Sequence, residues 1–206
     1  MNKSFLIALL AAPAMSFAAG PELVTNGSFE AYAGTAFISG YAKVSAGAGS
    51  LTGWTVGDTS VDIIKGNFGA VSGYSIDMLG TPGPGSIWQS LTTVIGQTYV
   101  LQFDMSSNRG GDNTSQGKEL TIAGLGGASA HSFSALTAGV SHQSYAFTAN
   151  STATLLKFSS GPAGYSGSVL DNVSVTAVPE PQTYALMLAG LGLVAGIARR
   201  RSKQQQ

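Results

Sequence analysis

Cysteine is absent from this sequence, and charged residues and histidines are few. With no cysteine among its 206 residues, the chain forms no disulfide and has no thiol for nucleophilic catalysis. The two histidines, His131 and His142, do not have the His-x-x-x-His zinc spacing, so we expect both to be surface residues. The sequence also lacks a Gly-x-Ser-x-Gly elbow and a Gly-x-Gly-x-x-Gly fingerprint. These absences predict a protein that is not an enzyme.

The central part of the chain has no basic stripe. Residues 19–178 contain nine acidic and five basic residues, a net charge of −4, and the zero net charge of the whole chain arises from its basic C-terminal tail. Nucleic-acid-binding domains carry clustered lysine and arginine. We therefore expect no nucleic-acid partner.

The C-terminal apolar run, residues 184–198, is short. Its fifteen residues would form a helix of about 22 Å, less than the roughly 30 Å of a bilayer core. A buried core helix is one interpretation of such a run. The basic residues at 199–203 favour another, because positive charge behind an apolar helix holds the tail in the cytoplasm. We predict a short C-terminal transmembrane helix that anchors a precursor in the inner membrane.

Three features coincide at this terminus, in a fixed order. They are the motif Pro179-Glu180-Pro181, the apolar run, and the cluster Arg199, Arg200 and Arg201. This arrangement resembles the PEP-CTERM sorting signal of Gram-negative bacteria, a tail also called the ice-binding protein C-terminal domain. The resemblance assigns residues 179–206 to a sorting tail and implies processing by an exosortase. The expected destination is the cell surface or the extracellular matrix.

The N-terminus has the layout of a secretory signal peptide. Lys3 precedes an apolar stretch at 5–12, and the small-residue site Ser16-Phe17-Ala18 follows. The stretch is too short for a transmembrane helix. We predict a signal peptide at residues 1–18, cleaved by signal peptidase, and a mature domain at 19–178.

The domain between these signals has the pattern of many short strands and no helical period. Turns rich in glycine separate segments that alternate apolar and polar residues. The predicted strands are 23–24, 51–56, 61–64, 73–78, 86–91, 98–105, 118–123, 130–133, 143–148, 153–159 and 168–176. Residues 31–50 are small and glycine-rich and predict a long loop. The fold class is all-β, a β-sandwich.

Several segments resemble the choice-of-anchor C family, bacterial surface proteins related to plant cell-wall proteins. They are LVTNGSFE, LTGWTV, VDII, GYSIDMLGTPGPGSIWQSL, GQTYVLQFDMSSNRGG and VLDNVSVTAVPEP, together covering most of residues 22–177. The resemblance implies a galactose-binding-like jelly-roll β-sandwich, a fold shared with carbohydrate-binding modules. It also implies that the acids at two of these segments, Glu30 and Asp171, share a structural calcium. The alternative is that Glu30 ends a strand and Asp171 caps a turn, with no metal.

Candidate ligand-binding residues cluster around one tryptophan. In the strand at 86–91, period-two alternation places Trp88 on the face opposite Ile87 and Leu91. An exposed Trp88 would be a platform for a sugar ring, with hydrogen bonds from Gln89, Asn108 and Arg109. The alternative is that Trp88 packs in the core, as we expect for Trp54.

These observations lead to one preferred function and two alternatives. The preferred function is a non-catalytic surface or matrix module that binds polysaccharide, such as the cell's own exopolysaccharide. The first alternative is a structural matrix, biofilm or adhesion protein without glycan affinity. The second is a secreted glycoside hydrolase, for which the sequence nominates no carboxylate pair.

Overall fold

The computed structural model describes residues 20–108, 110, 118–127, 130–135, 139–161, 165–179 and 181–203. Within them, eleven strands form two antiparallel sheets, of six strands (β1-β3-β4-β11-β6-β9) and five strands (β2-β5-β10-β7-β8). The strands are β1 Tyr41–Ser45, β2 Thr55–Asp58, β3 Ser60–Ile64, β4 Ser75–Asp77, β5 Gly85–Thr92, β6 Thr98–Ser107, β7 Lys118–Ala123, β8 His131–Ala135, β9 Ser141–Thr148, β10 Ala153–Ser160 and β11 Ser168–Ala177. The fold is the expected all-β jelly-roll sandwich.

The core lies between the two sheets. Alternate residues of each strand point inward and are buried, while their neighbours face outward. Phe103 of β6 meets Phe158 of β10 edge to face at 5.4 Å, which links the two sheets. Trp54 is buried as expected, and its indole N–H donates to the carbonyl of Asn26 at 3.0 Å.

The segment around the Asn26-Gly27 turn closes one side of this core. Phe29 is fully buried and lies 5.5 Å from Trp54. The Asn26 side chain donates to the carbonyls of Ala31 and Thr52 and fixes the turn. Residues 23–24 form no strand here, although Leu23 donates to the carbonyl of Val175 in β11. The predicted short strand is therefore wrong, but the turn is confirmed.

The predicted loop at 31–50 contains strand β1 and needs correction. Strand β1 pairs with β3 along its whole length, from Tyr41 opposite Ile64 to Ser45 opposite Ser60. Its inward residues, Ala42 and Val44, are buried. Small residues and glycines on both sides conceal this alternation, because the edge strand takes its conformation from pairing with β3.

Strands β6 and β11 run the length of the six-stranded sheet and define its two ends. Ser107 pairs with Ser168 at one end, and Tyr99 pairs with Ala177 at the other. Ten residues of strand span about 33 Å. Because β11 leads into the C-terminal tail, we call the end with Ala177 the tail end. The end with Ser168 is the distal end.

The helix predicted at the C-terminus is present as α1, Pro181–Lys203. Its apolar side chains between 186 and 197 are exposed. However, no helix among the described residues is both long and apolar enough to cross a membrane. The predicted transmembrane helix is therefore not supported. The apolar run is short, and Gly190, Gly192 and Gly196 lower its hydropathy.

Candidate functional site

A pocket opens at the distal end, on the outward face of the six-stranded sheet. It encloses about 250 Å³ and is open to solvent. Strands β1, β3 and β4 form its floor, and loops that follow β3, β4 and β6 or precede β11 form its walls. The lining residues are Tyr41, Asp62, Ile64, Phe68, Asp77, Thr81, Asn108, Gly110, Tyr165 and Ser166.

Two buried carboxylates stand side by side in the floor of this pocket. Asp62 of β3 and Asp77 of β4 are directly opposed in the antiparallel pairing, so their side chains share one face. Both are almost fully buried, with 3% and 1% of their surface exposed. Lys43 of β1 is opposed to Asp62 on its other side. A row of one cation and two carboxylates therefore crosses three strands.

Asp77 is held by three hydrogen bonds. The backbone N–H groups of Leu79 and Gly167 donate to its Oδ1 at 2.9 and 3.0 Å, and the Asn108 amide donates to its Oδ2. Burial raises its pKa from 3.8 to about 7, against these hydrogen bonds and with a smaller contribution from the Asp62 charge. Near neutral pH this carboxyl group therefore switches between an acceptor and a donor.

Asp62 is held by Thr81. The threonine hydroxyl donates to Oδ2 at 2.7 Å and its backbone N–H to Oδ1 at 3.2 Å. Burial raises the pKa of Asp62, while the Thr81 hydrogen bonds and the Lys43 charge lower it. Each carboxylate oxygen of Asp62 has one of these donors, which leaves a second acceptor position on each for a ligand.

Aromatic side chains form the walls around the carboxylates. The rings of Tyr41 and Phe68 meet edge to face with centroids 6.4 Å apart. Tyr165, from the segment that precedes β11, also lines the pocket and is 59% exposed. Aromatic faces beside directed polar groups suit a ligand with an apolar face and hydroxyl edges. A sugar ring has this chemistry, because its hydroxyl groups donate to carboxylates and its C–H face packs on aromatic rings.

The structure separates the sequence-predicted ligand residues. Trp88 faces outward from β5 on the five-stranded sheet, away from the pocket, and is half-buried. Its ring lies against Gly57, where an added Cβ would approach ring carbon Cζ3 to 2.2 Å. The Lys157 ammonium lies 5.6 Å from its centroid. Neighbours on both sides therefore restrict the ring as a stacking platform.

Gln89 points to the other face of the same strand and is not beside Trp88. Its amide is used within the fold: Oε1 accepts from the Thr25 N–H at 3.0 Å, and Nε2 donates to the Thr25 carbonyl at 3.2 Å. Gln89 thus fixes the segment that precedes the Asn26-Gly27 turn. It has no place in the pocket.

Asn108 is the predicted residue that the structure brings into the pocket. Its side chain is buried, donates to Asp77 and accepts from the backbone of Gly110 at 2.8 Å. Arg109 lies between two lining residues in the sequence, outside the described residues. Its role in hydrogen bonding to a ligand therefore stays a prediction.

Glu30 and Asp171 both contact the segment 72–75, but through hydrogen-bond donors. Glu30 accepts from the Tyr74 N–H at 2.7 Å. Asp171 accepts from the Ser72 N–H and hydroxyl, the Ser75 hydroxyl and the Asn172 N–H, at 2.7–3.1 Å. Backbone N–H groups directed at both carboxylates are poorly suited to a shared cation. Among the described residues, no three acidic or histidine side chains group as a metal site. The calcium stays a prediction.

The positions of two aspartates in the predicted strands are a sequence signal for the pocket. Asp62 and Asp77 occupy outward positions in two consecutive predicted strands, and consecutive strands usually pair. Their direct opposition depends on the register of that pair. The contribution of Phe68 and Tyr165 depends on how the loops fold and could not be read from spacing.

Comparison with protein families identifies the domain and the tail. Residues 22–176 match the family described as Protein of unknown function (DUF642). The chain belongs to this family. Residues 177–202 match the PEP-CTERM protein-sorting motif, which confirms the resemblance based on Pro179, Pro181 and the arginine cluster. The choice-of-anchor C name is not confirmed. No curated protein matches the chain.

Several solved structures are similar in fold. A structure described as CBM4 has 15% identity and a TM-score of 0.44, with 75% of this chain and 99% of that chain covered. A family 35 carbohydrate-binding module from Clostridium thermocellum has 14% identity and a TM-score of 0.42, with coverage of 65% and 97%. An arabinose-bound GH51 α-L-arabinofuranosidase has 13% identity and a TM-score of 0.50, with coverage of 77% and 27%. At this identity the likeness concerns the fold alone.

Proposed function

We propose that this protein is an exported, exosortase-processed surface or matrix protein whose sandwich binds a polysaccharide without cleaving it. The observation that carries the proposal is the distal pocket, in which Asp62 and Asp77 lie between aromatic walls. Asp62, whose two oxygens each keep a free acceptor position, accepts hydrogen bonds from hydroxyl groups of the sugar, and Asp77 holds Asn108 in the pocket wall. The rings of Phe68 and Tyr165 cover the apolar face of a sugar. Arg109, which follows Asn108 in the sequence, is proposed as a further hydrogen-bond donor to the sugar.

The position of the pocket supports a role in capturing an external ligand. The sorting motif begins at the tail end, and the pocket lies at the distal end, a strand length of about 33 Å away. A protein tethered by its tail would therefore present the pocket outward. The exopolysaccharide of a Gram-negative bacterium lies outside the cell, where this pocket would meet it.

The Asp62–Asp77 pair also gives the hydrolase alternative its one specific observation, because a raised pKa is typical of a general acid. The hydrogen bonding argues for binding instead. Asp77 is 1% exposed, and Leu79, Gly167 and Asn108 already donate to it. A general acid must reach the glycosidic oxygen, and the described geometry directs Asp77 into the fold.

A glycan array tests the proposal. The processed protein, purified from an exosortase-containing host, is applied to neutral and acidic polysaccharides, with calcium and with chelator. We expect selective retention on a glycan and no release of reducing ends. Loss of retention in chelator would support the calcium proposed at Glu30 and Asp171, and retention in chelator would leave that calcium without support. A folded protein that binds no glycan in either buffer would overturn the proposal and favour the structural matrix function.

A further inference from the structure

The turn between β5 and β6 exposes two large apolar side chains at the tail end. Val94 and Ile95 are 66% and 63% exposed, and Val178, whose carbonyl accepts from Gln97 of the same turn, is 38% exposed. We call these three residues the base patch. Of the seven large apolar residues exposed outside α1 among the described residues, three lie in this patch. The segment 92–98 contains no charged residue.

The fold holds this turn in place. The Gln97 N–H donates to the Val94 carbonyl at 3.0 Å, and the Val94 N–H donates to the Tyr99 hydroxyl at 2.9 Å. The Gly96 N–H donates to the Ala149 carbonyl at 2.8 Å. Exposure of the two apolar side chains is therefore a property of the folded turn, and neighbouring apolar side chains that the fold holds in solvent are a candidate interaction surface.

The sorting motif starts at the same place, without a linker. The Val178 N–H donates to the Thr98 carbonyl at 2.8 Å, and the Gln97 amide donates to the Val178 carbonyl at 2.6 Å. Pro179 is the next residue. A protein that reads the motif must therefore approach within a residue or two of the folded domain, where the base patch lies.

We infer that the base patch is a docking surface for the exosortase that processes this chain. The motif leads into α1, whose apolar side chains are exposed, so a protein that reads the motif and this helix is suited to an uncharged apolar surface beside them. The patch and the motif then form one recognition surface. The patch adds affinity for the enzyme, and the hydrogen bonds that hold Val178 fix the distance between the patch and the motif. This inference rests on exosortase processing and is independent of glycan binding.

Cross-linking in cells tests which partner covers the patch. A photoreactive amino acid is placed at Ile95 of the full chain, in a host with a catalytically inactive exosortase. The matched control carries it at Ile38, which is 73% exposed and pairs with Tyr41 beside the pocket. We expect an adduct with exosortase from position 95 and none from position 38. Equal adducts, adducts with lipid alone or adducts with a second copy of this chain would overturn the inference.

Processing kinetics provide the second test. In a pulse-chase experiment with active exosortase, we expect the double variant V94S/I95S to be processed at least fivefold more slowly than the wild type. The control I38S/V140S removes two exposed apolar side chains elsewhere and should be processed at the wild-type rate. Thermal unfolding verifies that both variants fold. Wild-type processing of V94S/I95S, or equal slowing of the control, would overturn the inference.

A third test inserts a flexible linker, so that docking at the base patch and recognition of the motif are no longer coupled. Eight glycine and serine residues inserted between Val178 and Pro179 allow the motif to reach the enzyme without the patch. In this background, the effect of V94S/I95S should fall below twofold. An effect as large as in the chain without the linker would contradict the claim that the patch acts through its short distance from the motif.

Discussion

Asp77 connects the chemistry of the pocket with the stability of the fold. Its pKa rises from 3.8 to about 7 because the folded chain withdraws the carboxyl group from water. Between these values the folded state holds a proton that the unfolded chain releases. The stability that this group contributes is therefore complete below about pH 4 and is lost as the pH rises towards 7. Burial shifts the pKa of Asp62 and Asp171 in the same direction.

The Asp77→Asn variant tests this linkage. For the wild type, we expect the free energy of unfolding to fall between pH 5 and 7, with Asp77 contributing up to about 1.4 kcal/mol per pH unit. The variant should show a smaller slope, whatever its absolute stability, because the titrating group is gone. Urea titrations at pH 5, 6, 7 and 8 measure both profiles. Equal slopes of unfolding free energy against pH in the wild type and the variant would contradict the raised pKa of Asp77.

Individual site residues were only partly predictable. Alternation along β5 correctly placed Trp88 opposite Ile87. The same alternation places Gln89 with Ile87, away from Trp88, so sequence neighbours do not become site neighbours on a strand. Asn108 reaches the pocket because β6 pairs with β11 and β11 pairs with β4, a relation set by long-range pairing.

At the scale of elements, the turn at Asn26-Gly27 requires glycine at its second position. The backbone of β11 passes directly beside it: an added Cβ would lie 1.9 Å from the Val173 carbonyl oxygen. The Gly27 carbonyl also accepts from the Val173 N–H at 2.9 Å. Only a residue without a side chain allows this approach.

Gly27→Ala should therefore destabilise the protein by at least about 2 kcal/mol, since either the turn or β11 must move. The matched control is Gly49→Ala. A Cβ at Gly49 meets nothing within 4 Å, so its effect should stay within about 0.5 kcal/mol. Chemical denaturation of the two variants measures the difference. Equal stabilities would show that β11 does not constrain this turn.

Strand positions followed well from period-two patterns, and the failures have different causes. Strand β7 was predicted at its observed bounds, and β6 and β11 within two residues of theirs. Strand β1 was missed because the small residues and glycines on both sides of it conceal its alternation. The helix α1 was predicted as an element, but its membrane-spanning function was not supported, since residue composition and not helicity decides that property.

The whole molecule has two different ends. The tail end carries the sorting motif beside the base patch, and the distal end carries the pocket with its carboxylates. Strands β6 and β11 join the ends as an antiparallel pair whose register shifts once, between Asp171 and Ser174. Processing and ligand binding are thus assigned to surfaces separated by the length of the sandwich, and a variant at one end should leave the other function intact.

The central claim is that the distal pocket, and not the Trp88 face, binds the glycan. The most direct measurement is isothermal titration of the processed protein with the glycan that the array identifies, comparing Phe68→Ala with Trp88→Ala. We expect Phe68→Ala to weaken binding at least tenfold, about 1.4 kcal/mol, through loss of a pocket wall, and Trp88→Ala to change it by less than twofold. Loss of binding in a folded Trp88→Ala variant, with Phe68→Ala unchanged, would contradict the account.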